Sequence, residues 1–76
     1  MPFPLFGPLT VLIHTVRPYS IHGDLYFECL VSPTDNPADR SALRLPNHLI
    51  NPEPRPGETL TLTFLMGQVT GAKRPA

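Results

Sequence analysis

Residues 55–75 read RPGETLTLTFLMGQVTGAKRP, and the run from Thr59 to Leu65 inside them decides the fold. Threonine alternates there with leucine and phenylalanine, the two-residue period of a strand with one buried and one exposed face. Leu60, Leu62, Phe64 and, by continuing the period, Met66 are expected to face a core, with the threonines turned outward. Pro56-Gly57-Glu58 is turn chemistry that feeds the chain into this strand. Gly67 interrupts the pattern as a bulge, bend or turn, and Gln68-Val69-Thr70 supplies a last short strand.

The same style extends toward the N-terminus. Thr10 to Arg17 is β-branched and apolar, a first strand expected to end at Pro18. Tyr19 to Asp24 reads as a hairpin loop that turns at Gly23. Leu25 to Ser32 is a second strand with Leu25, Phe27, Cys29 and Val31 on one face. Glu28 belongs in water, so that face is the core side and Tyr26 lies outside. Ser32 to Pro37 is loop, with room for one helical turn at Ala38 to Ser41. Ala42 to Leu45 is a third short strand stopped by Pro46. A turn of helix fits Asn47 to Ile50, and residues 51–57 form a loop stiffened by Pro52, Pro54 and Pro56. The first strand leaves its faces open: either Val11, Ile13 and Thr15 point inward, or Leu12, His14 and Val16 do. His14 is accordingly a core residue or a surface contact.

With 76 residues the chain is a single small domain, expected to bury about 60% of its unfolded surface. Its 41% hydrophobic and 16% charged residues mark it as globular, and eleven prolines with five glycines favour short strands over long helices. Cys29 is the single cysteine, so no internal disulfide forms and a reducing, cytoplasmic setting is expected. No apolar run approaches the roughly 20 residues of a membrane span. The proline-broken start, Met1 to Phe6, lacks the basic region of a signal peptide. The formal net charge is zero, which argues against a broadly polyanion-binding surface. Five of the six cations are arginine, the acids fall between Asp24 and Glu58, and the last five residues carry only positive charge.

Catalysis finds little equipment. No serine elbow, phosphate loop or paired-carboxylate pattern occurs, so neither an enzyme nor a cofactor is expected. Cys29 sits on the apolar face with Phe27 and Val31, where a thiol is poorly reactive. His22-Gly23-Asp24 offers two potential metal ligands without a second cluster at metal-site spacing, and turn chemistry explains it better. Binding is better provided for. Tyr26, with Arg17 and Tyr19 near the end of the first strand and Arg44 on the third, places phenols beside guanidinium groups. Such a set stacks unpaired bases and holds their phosphates. Lys73 and Arg74 are expected to add phosphate contacts from a mobile tail.

The order of strand, hairpin, strand, proline-rich connection, Pro-Gly-Glu strand and closing strand resembles an OB-fold over Thr10 to Lys73. It is similar in size to the small single-stranded DNA-binding proteins built on that fold. The resemblance implies an all-β, five-stranded OB-like barrel over residues 10–72 with at most one short helical turn. An extended arm (residues 1–9) precedes it and a basic tail (residues 73–76) follows. The function expected is non-enzymatic binding of single-stranded nucleic acid, DNA favoured over RNA, through Arg17, Tyr19, Tyr26, Arg44, Lys73 and Arg74. The alternative is a protein-interaction module, SH3-like or OB-like, whose apolar arm (Phe3, Leu5, Phe6) packs on a partner or a second copy. A homodimer is compatible with both readings.

Overall fold

The protein is described here from a computed structural model, in which residues 3–50 and 52–75 are placed. Five strands follow one another, β1 (Phe6–Ile21), β2 (Asp24–Pro33), β3 (Ser41–Pro46), β4 (Thr59–Leu65) and β5 (Gln68–Lys73). They pair antiparallel throughout, in one sheet of order β3-β2-β1-β4-β5. The chain is all-β, and its one described helical element is a 3-10 turn at Asn47–Leu49. No helical turn forms at 38–41, where the Asp39 N–H bonds the Asn36 carbonyl and Ser41 already opens β3.

The expected barrel is corrected in one respect: the sheet does not close. No ladder joins β3 to β5, so both remain edges. The sheet instead folds round a single core, because residues from its two ends meet in one cluster. Phe27 and Leu45 on one side join Leu60, Leu62 and Phe64 on the other, with Val11, Ile13, Cys29, Val31 and Ile50. The 3-10 turn touches both β2 and β5 and spans the open side.

β1 holds the two ends together. Its N-terminal part, Phe6 to Leu12, pairs with β4, and Val11 to Ile21 pairs with β2. A bulge at His14 shifts the phase, so that Val11 and Ile13 face the core before it and Val16 packs on the core after it. Both alternatives for this strand's inner face are therefore partly realised. The strand starts earlier and ends later than the sequence suggests, since it incorporates Pro8 and Pro18. The reason lies in the pairing. Pro8 lies where β1 has only β4 beside it, and Pro18 where it has only β2. Pro33 extends past the end of the β3 ladder, and Pro46 is on the edge strand β3. A proline without an N–H is tolerated where one side of a strand has no ladder to donate to.

Two hairpins use two-residue turns in which both central residues have positive φ, His22 (51°) with Gly23 (84°) and Met66 (53°) with Gly67 (79°). This mirror-image turn matches the strand twist and normally takes asparagine or glycine at its first position. Met66 thus leaves the core phase that the alternation assigns to it and is 76% exposed.

The described residues near both termini are more tightly held than expected. Residues 6–9 of the arm belong to β1, and Phe3 stacks on Phe64 with ring centroids 5.6 Å apart. The first two residues of that arm lie outside the described residues, as does Ala76 of the tail. Lys73 is the last residue of β5, opposite Thr61. Arg74 is clamped rather than mobile. Its Nε pairs with Glu58 Oε1, and its Nη2 donates to the carbonyls of Pro52 (2.7 Å) and Glu53 (3.1 Å).

Candidate nucleic-acid interface

Cross-strand neighbours in an antiparallel ladder share a face. The registers of β1, β2 and β3 therefore put three rows of side chains on the outer face of this half of the sheet. One row is Tyr19–Tyr26–Pro46, the next Arg17–Glu28–Arg44, and the third Thr15–Leu30–Ala42. Four of the six residues singled out from the sequence are gathered here. The alternation that buries Phe27 and Cys29 leaves Tyr26 and Glu28 on the opposite side. The bulge at His14 brings Arg17 and Tyr19 into the same phase.

The tyrosine rings stack, with centroids 5.9 Å apart and planes 27° from parallel. The Arg44 guanidinium carbon lies 5.6 Å from the Tyr19 centroid and 5.9 Å from that of Tyr26. Three groups with flat π-faces or planes are thus collected on a half-exposed surface, the arrangement in which cation–π attraction contributes about 0.5–1 kcal/mol. The Tyr19 hydroxyl is buried and has no hydrogen-bond partner among the described residues. Beyond Tyr26 lies a groove of about 470 Å³ lined by Gly23, Asp24, Leu25, Pro46, Asn47 and His48. On the other side Arg44 and Pro46 reach the open seam, a second groove of about 530 Å³ whose far wall is Gly67, Gln68 and Val69.

Glu28, which the sequence places in water, also belongs to the site, a membership its exposure alone does not reveal. It stands between Arg17 and Arg44 in the register, and its Oε1 is 3.9 Å from Arg17 Nη2. The signal was present, because Glu28 is two residues from Tyr26 on the same strand face. In the exposed setting this ion pair is worth little, about 0–1 kcal/mol. It nevertheless places one negative charge inside the cationic row.

The C-terminal cations are not part of this cluster. Lys73 lies on β5, the edge opposite to β3, and the Arg74 guanidinium is occupied by Glu58 and two carbonyls. Cys29 and His14 are structural in their surroundings. Cys29 is fully buried, and loss of hydration, with the neighbouring Glu28 charge, pushes its thiol up to about 11. At neutral pH it carries almost no thiolate, the form that attacks or binds metal. His14 Nε2 is 2.7 Å from the Oγ of the fully buried Ser32, which gives that hydroxyl its partner. Among the described residues no three histidine, cysteine or acidic side chains converge as metal ligands. No family model, curated protein or solved structure matches this chain.

Proposed function

We propose that the outer face of β1, β2 and β3 binds single-stranded nucleic acid, DNA in preference to RNA, without catalysing a reaction on it. One observation supports this reading most: Tyr19, Tyr26 and Arg44, far apart in sequence, come together as a stacked cluster open to solvent on one side. A base would stack against this cluster in place of, or above, the Arg44 plane. The guanidinium groups of Arg44 and Arg17 would then meet the flanking phosphates. Each stacked base contributes about 1–3 kcal/mol irrespective of its identity. An OB-like domain in a reducing, cytoplasmic setting is consistent with this use, and the open seam beside Arg44 would continue the track.

Fluorescence anisotropy with labelled oligo-dT at low salt tests the reading. Binding in the micromolar range that weakens with added salt is expected, because phosphate contacts release counterions. Tyr26→Ala and Arg44→Ala should each weaken it about 5- to 100-fold, in keeping with the loss of one stacking or cationic partner. Absence of binding, or binding indifferent to salt, would refute the proposal.

A further inference from the structure

Six acids and six cations are distributed along this chain, yet residues 1–16 and 59–72 contain none of them. These two segments supply the N-terminal part of β1, all of β4 and most of β5, which are adjacent in the sheet. Among the strand residues of this half of the sheet, Lys73 at the end of β5 is the charged one. The far end of this half displays Leu5, Phe6, Leu65 and Met66, which are 65, 63, 54 and 76% exposed. They are contiguous. Phe6 pairs with Leu65 across the ladder, the Gly67 N–H donates to the Leu5 carbonyl at 3.0 Å, and Leu5 Cδ2 packs beside Gly67.

We infer that this end of the β1–β4 ladder is a self-association surface, occupied by the same surface of a second copy of the chain. Four arguments select that occupant. In a two-fold contact the same patch meets itself, residue i against residue j and j against i, so a patch of one charge sign would repel itself whereas an uncharged one does not. A zero net charge adds no long-range repulsion between copies. The four side chains expose on the order of 500 Å² together, at the upper end of what a monomer leaves open. The neighbouring outer threonines, Thr10, Thr61 and Thr63, extend the patch toward the roughly 800 Å² per partner of a stable interface.

Met66 adds a separate indication. A bulky side chain at φ 53° is strained at a position where asparagine or glycine is at ease. The strain brings no burial within the monomer, and its result is an apolar side chain held out at the tip of the β4–β5 turn. Stored strain of this kind marks sites whose value lies outside the fold itself. The inference does not rest on the nucleic-acid reading, since Tyr19, Tyr26 and Arg44 belong to the other half of the sheet; the two surfaces meet at Gly67, on the far wall of the seam beside Arg44.

Sedimentation equilibrium of the full chain, from about 1 to 300 µM, tests it over the range expected of a small interface. The mass should rise from 8.4 kDa to twice that value. Phe6→Glu combined with Leu65→Glu should abolish the rise while the far-UV spectrum stays β-rich. Met66→Asn should weaken association at least tenfold and raise the melting temperature of the dilute monomer, because it relieves the turn while removing the contact. That pair of opposite shifts decides the matter even where the double variant fails to fold. A wild-type chain that remains monomeric, or a Met66→Asn variant that associates as well as wild type, would overturn the inference. Monomeric protein that instead co-sediments with phosphatidylcholine vesicles would assign the patch to lipid and overturn it too.

Discussion

The two halves of this sheet share one central strand but divide the chemistry between them. Around β2, β3 and the C-terminal part of β1, the outer face carries two tyrosines, two arginines and a glutamate. Around β4, β5 and the N-terminal part of β1 it carries threonines and exposed apolar residues, with Lys73 the one charged residue at its margin. The inner faces hardly differ, since both halves feed aliphatic and aromatic side chains into one core. Burial requirements set the inner face alike everywhere, whereas the outer face is free to diverge. Where it diverges it is more informative about ligands and partners.

The strongest way to break this comparison is to ask whether the halves are energetically separate. Leu62 is fully buried in β4, and Leu62→Ala should cost about 2–5 kcal/mol. Both tyrosines lie in the other half, so their near-UV signal reports on it alone. We expect the tyrosine and far-UV melts of the variant to shift down together, because β1 is paired on both sides. A tyrosine signal that keeps its wild-type midpoint would show two independent units.

A smaller effect is expected at the clamp. Arg74 joins the end of β5 to the β3–β4 connection through Glu58, Pro52 and Glu53. Arg74→Ala leaves Glu58 without this partner and should destabilise by about 1.5–3 kcal/mol, the range for hydrogen bonds to charged groups. Oligo-dT affinity should stay within twofold of wild type. A large loss of affinity with unchanged stability would return Arg74 to the binding surface.

The smallest effect sharpens the charged half. Glu28→Gln removes the negative charge between Arg17 and Arg44 without changing the shape of the side chain. Oligo-dT affinity at low salt should rise a few-fold, with a steeper salt dependence. A fall in affinity would mean that the Arg17–Glu28 pair positions a binding group instead of opposing the ligand.

Much of the fold was legible because burial imposes a period on a strand. β4 has the limits that its alternation suggests, and Phe27, Cys29 and Val31 form the buried face of β2 as Glu28 requires. The failures are of another kind. Pro18 looks like a strand terminator, yet it lies within β1 opposite Phe27. A proline ends a strand only if its missing N–H was needed, and that depends on which neighbours flank it. Met66 follows the period but not the core, because the chain turns immediately after Leu65. Of the candidate site, the types of residue were visible but their company was not. Arg74 resembled a free cation until Glu58, sixteen residues away, was placed against it.

Local pattern alone, then, determined the β class, the main strands, the inert buried thiol and the outward position of Tyr26, since each follows from near neighbours along the chain. Tertiary structure alone decided that the sheet stays open, that Tyr19, Tyr26 and Arg44 meet, and that the β1–β4 ladder presents a face of threonines and exposed apolar residues. Those outcomes depend on register between strands distant in sequence. A pairing shift of one residue would leave every local preference intact and send the same side chains to the opposite face.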